Sequence, residues 1–444
     1  MKPTAMLHAL RPLAAALALS ALGSAQAQSL LELYEAARGY DAAYLAARAQ
    51  FDASQAQADQ ARAGLLPQVG LGAAASWARR DSSNNLLDGT SRSQSATLSA
   101  SQPLYRPANT IANDQAGLSR DIAQARLQIA EQDLIVRTAQ AYFDVLAAGD
   151  TLTFVQAQKT AVAEQLAAAK RNFEVGTATV TDAREAQARF DLVVAQEIAA
   201  ENDLRVKKLA LDQLVGRGGT APKPLAAPVN LPPLSPADPN VWLSRVGEQH
   251  PTVLSARRAL DIAELETRKA EAGHKPTVDL VASYGVSRAP SGITTVPGNV
   301  RNNNTSVGVQ FNMPLFAGFA TQNRIKETLA LEEKARNDLD AARRGVDQAT
   351  RAAFFGVVSG EGQVKALEAA EASSQSALDA NRLGYQVGVR INIDVLNAQS
   401  QLFQTKRDLA QARYNVLLGN LRLRQASGVL APEDLAPING LLAK

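Results

Sequence analysis

The chain has 444 residues, 46 Lys and Arg against 43 Asp and Glu, and no cysteine. It is long enough for two or three ordinary domains or one large elongated one, and its near-balanced charge, with no basic stripe carrying interleaved aromatics, excludes a nucleic-acid partner. Without cysteine there are no disulfides, no thiol nucleophile and no lipid-modified mature N-terminus, and three histidines are too few for a clustered metal centre.

Residues 1–27 read as a secretory signal peptide. Lys2 and Arg11 form its basic start, Leu13 to Leu22 is apolar, and Ala25-Gln26-Ala27 is a small-residue cleavage site. The mature chain then begins near Gln28, and 46 basic residues less these two leave 44 against 43 acidic ones. No later stretch is apolar for the ~18 residues that a membrane-crossing helix needs. Contact with a membrane would therefore fall to β-strands or to an interfacial surface.

From Gln28 onward the chain reads as two copies of one unit, 28–220 and 240–428, joined by the Pro-rich linker APKPLAAPVNLPPLSPADP (221–239) and followed by a tail, 429–444. In chain order the first copy offers a helix over about 30–64, two strands, a long helix from Pro107 to Glu174 and a shorter one over 182–215. The second repeats the order as 241–272, two strands, Phe319 to Gln386 and 393–426. The duplication is explicit at FEVGTATVTDAREAQARF (173–190) and YQVGVRINIDVLNAQSQL (385–402), which align without gaps 212 residues apart. They share Val175/Val387, Gly176/Gly388, Asp182/Asp394, Ala186/Ala398 and Gln187/Gln399. Pro67 likewise matches Pro276, and Pro103 matches Pro314. A period this long predicts a duplicated half rather than a solenoid.

The strand segments alternate. Val69, Leu71, Ala73, Ala75 and Trp77 interleave with Gly70, Gly72, Ala74 and Ser76; Ala96, Leu98 and Ala100 interleave with Thr97, Ser99 and Ser101. In the second copy Val278, Leu280, Ala282, Tyr284 and Val286 form one face, and Val307, Val309, Phe311 and Met313 continue it. Period two over about ten residues suits a tilted strand with one face in lipid and the other in water. A soluble β-domain with one wet face carries the same pattern. The polar stretches RRDSSNNLLDGTSRS and RAPSGITTVPGNVRNNN, between the strands of each pair, look like long external loops. Four strands cannot close a barrel, and an open edge is not tolerated in lipid, so a membrane location requires several subunits to share one barrel.

The remainder is rich in Ala, Leu, Gln, Glu, Lys and Arg and predicts helices. At ~1.5 Å per residue each long helix spans on the order of 100 Å, and two half-length helices end to end match one long one. That arithmetic predicts a tall coiled assembly. Leu127, Leu134, Val145 and Val155 fit helix packing, and abundant Ala suggests close interhelical approach. The segments 173–190 and 385–402 are then tight turns where a long helix reverses into a short one. Gly176 and Gly388 are placed as C-caps. Thr179 and Asp182 make a capping pair, and Asn392 reads as an N-cap with Asp394 in the first turn. On the plainer reading, both Asp residues only cap helices.

Other features carry no chemistry. GRGG (216–219) lacks the Lys of a phosphate loop. His250 and His274 flank a helix as turn and end residues, Trp77 suits a lipid interface, and Trp242 suits packing where the halves join. There is no catalytic constellation, no cofactor motif and no metal site, so the chain does not read as an enzyme.

In the order and spacing of these pieces, together with QPLY, MPLF and KRDLAQARYNVLLGNLRLRQASG (406–428), the sequence resembles the TolC family of outer-membrane exit ducts over nearly its whole mature length. The resemblance implies an α+β membrane protein: a homotrimer whose protomers give four strands each to a twelve-stranded β-barrel continuing into a helical coiled-coil tunnel across the periplasm. It also implies a gate at the turns. Tyr385 and Arg390 match the family's gate-linking pair, and Thr181 and Asp182 match their acceptors. Asp394 matches an acidic ring at the pore constriction, with Asn397 where some members carry a second acid. The implied partners are a periplasmic adaptor (membrane fusion) protein, an inner-membrane transporter of ABC or RND type and outer-membrane lipid. The implied function is passive export of drugs, small molecules or secreted proteins from a Gram-negative cell. The alternative is a periplasmic coiled-coil adaptor or structural protein without a membrane barrel.

Overall fold

The computed structural model describes residues 27–80, 89–246, 249–291 and 300–443. The expected signal peptide, except its last residue, and the centres of both polar loops lie outside these.

Helix α1 (Leu30–Tyr40) opens with a reciprocal cap: Glu32 N–H donates to Ser29 Oγ, and Ser29 N–H donates to the Glu32 carboxylate. The sequence predicts one helix over 30–64, but the structure breaks it. Asp41 ends α1, and its Oδ1 accepts the Tyr44 N–H (2.8 Å) to start α2 (Ala42–Arg62). A short carboxylate competes with the helix for backbone donors and so favours a cap over an interior position. Both Asp41 oxygens also take Arg137, at 2.9 Å each.

A single 3₁₀ turn (63–65) leads from α2 into strand β1 (Gln68–Arg80), which pairs with β2 (Gly89–Tyr105). Two long-range pairs follow from one polar cluster: Gln102 Nε2 donates to Leu65 O, and Asn109 Nδ2 donates to Gly64 O. Helix α3 runs unbroken over Pro107–Glu174, and α4 over Val180–Val215. The linker 221–239 is docked rather than free: Gln28 bridges Pro222, and Leu225 bridges Leu442.

The second copy departs from its prediction in the same manner as the first. The expected helix 241–272 is two, α5 (Pro239–Val246) and α6 (Pro251–Glu271). Pro251 has no N–H to give and biases His250 away from helical geometry, so the helix restarts there. Strands β3 (Thr277–Ser291) and β4 (Val300–Asn312) precede the second long helix, α7 (Ala320–Gln386), its partner α8 (Asn392–Ala426), and a short α9 (Leu435–Asn439).

The strands form one antiparallel sheet in the order β1-β2-β3-β4. Its register puts Leu71 beside Leu98, Leu98 beside Tyr284, and Val278 beside Phe311 on one face. The other face carries Gly70, Ser76, Ser93, Ser99, Ser283 and Ser306, with hydroxyl pairs Ser76–Ser93 (2.7 Å) and Ser283–Ser306 (2.8 Å). The apolar face has no cover from its own chain: Leu71 is 76% exposed and Val307 74%. At the end of β2, Arg106 clasps Asp279 of β3 through two bonds of 2.7 and 2.6 Å. No described helix is long and apolar enough to cross a membrane.

Two compact units result, and each draws on both copies. One holds the sheet, with residues 47–127 and 251–344; the other holds 128–250, 345–444 and the N-terminal residues up to Ala46. In the latter, Phe143 packs its ring on Tyr142 and Tyr414, and Trp242 is buried with Phe354, Val357 and Leu423. The expected packing was where the halves join; these core partners all lie in the second copy, and Trp242 Nε1 donates to Pro236 O of the linker (2.9 Å). His250 is a buried turn residue whose ring meets the backbone at Gln425 and Ala426, and burial lowers its pKa.

Candidate functional site

The two predicted turns close in the same way. After α3, Thr177 N–H reaches Asn172 O (2.8 Å) and Gly176 N–H reaches Phe173 O (3.0 Å). After α7, Val389 N–H reaches Gly384 O (2.9 Å) and Gly388 N–H reaches Tyr385 O (3.2 Å). This paired 6→1 and 5→2 closure needs a left-handed residue, and Gly176 and Gly388 supply it with φ of 80° and 81°.

The helices that follow start differently. Thr179 caps α4: its Oγ accepts the Asp182 N–H, while Asp182 Oδ2 takes the Thr179 N–H (2.9 Å) and hydroxyl (2.7 Å). The expected Asn392 cap is not formed. Ile391 occupies that position without a side-chain bond, and Asn392 is the first residue of α8. Its side chain turns inward, 1% exposed, to accept from Gln165 of α3 and to donate to Asp182 O (3.4 Å). A buried amide contributes most when both its oxygen and its nitrogen find partners, and here those partners lie on the other hairpin. Below it, Asn172 Nδ2 donates to the Tyr385 hydroxyl (3.2 Å). Between them Val162, Leu166, Ala169 and Ala186 pack on Leu396.

The structure thus brings Tyr385 to Asn172 rather than to Asp182. Arg390 leans on Asp394, Nη1 to Oδ2 at 3.7 Å, with its guanidinium side chain 59% exposed. Thr181 is exposed. Asp182 uses Oδ2 for its cap, and Oδ1 has no partner among the described residues. Asn397, three residues beyond Asp394 and so on the same helix face, accepts from Arg189 Nη2 (2.9 Å).

Gln165, Asn172, Arg189 and the inward Asn392 were not predicted as site residues. The repeat held a signal for them. At the 212-residue offset their counterparts are Ala377, Gly384, Gln401 and Val180. The side chains that tie the copies together are those in which the copies differ.

The chain matches the outer membrane efflux protein family over residues 33–217 and 242–429. It is 34% identical to outer membrane protein TolC of Escherichia coli, over 98% of this chain and 89% of that one. It is 32% identical to the alkaline protease secretion protein AprF of Pseudomonas aeruginosa, over 92% of this chain and 86% of the relative. Among solved structures, the outer membrane protein VceC of Vibrio cholerae superposes with a TM-score of 0.76 at 20% identity, covering 90% of this chain and 96% of its own.

Proposed function

Because this chain belongs to the outer membrane efflux protein family, we propose that three copies close one twelve-stranded barrel and that the turns at Gly176 and Gly388 form its periplasmic closure. The protein is an outer-membrane exit duct of the kind that serves efflux and type I secretion. Each copy of the duplicated unit, 28–220 and 240–428, contributes two strands and one hairpin to it.

The sheet carries this reading. Its strands of 13 to 17 residues exceed the ~9–11 that a tilted strand needs to cross a bilayer. One face is apolar and uncovered, the other is lined by hydroxyls and glycine, and β1 and β4 each pair on one side only. Lipid on the apolar face and water on the other satisfies the alternation, and two further copies satisfy the edges. The periplasmic adaptor reading leaves that apolar face in water.

At the closure, Tyr385 holds its own pair of hairpins through Asn172, and Arg390 reaches Thr181 and Asp182 of the neighbouring copy. The open Oδ1 of Asp182 and the exposed fork of Arg390 suit that bond. One exposed ion pair contributes ~0–1 kcal/mol, so three copies hold the duct shut by about a few kcal/mol. A partner can overcome that much. Three Asp394 carboxylates form an acidic ring, with Asn397 weakening its field. A periplasmic adaptor and an inner-membrane transporter of ABC or RND type supply energy and opening force, and conduction itself is passive.

The test is fractionation and reconstitution. The protein should sediment with outer membranes, migrate on gels as a heat-modifiable oligomer and conduct ions in planar bilayers. A soluble, heat-indifferent monomer overturns the reading.

A further inference from the structure

Past the turns, α4 and α8 run side by side in the same direction, since Asp182 lies against Asn392 and Arg189 against Asn397. On α8, Asn397, Gln401, Gln404 and Arg407 recur every three or four residues and so form one stripe along the helix. Facing Arg189 of α4 and Gln158 of α3, this stripe lines an open groove of about 440 Å³.

No carboxylate lines the groove. Arg189 donates to Asn397 Oδ1 at 2.9 Å; Arg407 donates to Gln158 Oε1 at 3.2 Å and Gln404 Oε1 at 2.8 Å. Among the described residues neither guanidinium has a carboxylate within ion-pair distance. Elsewhere on the same helix Arg413 pairs with Glu368 and Arg424 with Asp434, at 2.8 and 2.6 Å. Burial lowers the pKa of Arg407, and only its chain neighbour Asp408 acts against that. Amide oxygens satisfy the hydrogen-bond geometry of a guanidinium without balancing its charge.

We propose that this groove binds oxyanions, with Arg189 and Arg407 as its charged ends. Between them, Gln401 and Gln404 each give one amide hydrogen, to Thr405 Oγ1 and Asp408 Oδ1, and offer the second as a further donor. The ten-step rise from Asn397 to Arg407 spans about 15 Å, which favours an elongated ligand carrying several phosphate or carboxylate groups. Arginine forks are suited to both groups. The groove's place in the pore rests on the channel reading: Asn397 stands one turn from Asp394, so the duct carries an anion site directly beside its acidic ring. Acidic solutes are then held at the step after the constriction rather than repelled from it.

The experiment is isothermal titration of the full-length protein in detergent at low ionic strength, with inorganic tripolyphosphate in one arm and citrate in the other. Saturable binding of tripolyphosphate alone assigns a phosphate site, of citrate alone a carboxylate site, and of both a general oxyanion site. Arg189→Gln and Arg407→Gln should each weaken binding by about tenfold, and Arg407→Lys by less. Arg336→Gln, whose guanidinium is held by Glu332 and Glu333 outside the groove, should leave it unchanged. Thermal unfolding of each variant checks the fold, and the Lys variant carries the Arg407 arm if the Gln variant misfolds. Absence of saturable binding in the unaltered protein overturns the proposal, as does equal affinity in the double Gln variant. Binding without conductance overturns the channel reading alone; conductance without binding overturns this one alone.

Discussion

Asp182 and Asp394 occupy the same place in the two copies, yet the residues around them give them different work. Thr179 precedes Asp182 and lets it cap a helix; Ile391 in the equivalent position cannot, and Asp394 stays free to meet Arg390. If Arg390 and Tyr385 hold the closure, Arg390→Ser with Tyr385→Phe should raise single-channel conductance in planar bilayers. Unchanged conductance in a correctly assembled trimer removes both from that role. Asp394→Ala should lower cation preference, read as a shift in reversal potential under a salt gradient; a fixed potential removes Asp394 from the ring. The sequence placed these side chains at the turns through the repeat and its glycines, and their roles there came from the family resemblance. It did not show Asn172 or Gln165, because a partner more than 200 residues away leaves no local pattern.

Between elements, the most consequential break is at Asp41. Its carboxylate caps α2 and clamps Arg137 of α3, and the Arg137 hydrogen bonds hold its pKa below the ordinary carboxylate range. Asp41→Asn keeps a capping oxygen but loses the ion pair, so it should destabilise the fold by about 1–2 kcal/mol at neutral pH. The sign of the pH dependence follows from the depressed pKa. The advantage of the unaltered protein is complete above the unfolded value of ~3.9 and fades as the pH falls through the lower folded value. Chemical denaturation of both proteins at pH 7 and in acid reads the difference, and a gap that persists in acid refutes this account. Long helices were legible because a composition rich in helix formers continues for many residues, and strands because their period of two does. The breaks at Asp41 and Pro251 were not, since the composition on both sides is uniformly helical. Pro251 itself was a signal: it disfavours helix in the residue before it.

For the whole molecule, the repeat specifies how copies should meet. In the sheet, Leu98 of β2 pairs with Tyr284 of β3. Carried over by the offsets of the matched prolines, 211 residues for the second strand and 209 for the first, that pair becomes Val309 and Ala75 of the next copy. The chain has no cysteine, so Val309→Cys with Ala75→Cys introduces the only thiols. Oxidation in the membrane should yield a covalent trimer on denaturing gels, and monomer bands alone would refute this closure. The strands' two faces were legible from alternation, and the need for several subunits from the rule that lipid tolerates no open edge; the number three came only from the family resemblance.

Arg106 and Asp279 stitch β2 to β3 inside one chain. By the same offsets, the corresponding positions at the junction of two chains are Ala317 and Gly70, which have no charge to offer. If three copies close the barrel, its three β2–β3 junctions carry this ion pair, and the three matching junctions between chains do not. When detergent or heat unzips such a barrel, the junctions between chains part first, and what is released is an intact four-stranded leaf rather than a torn half.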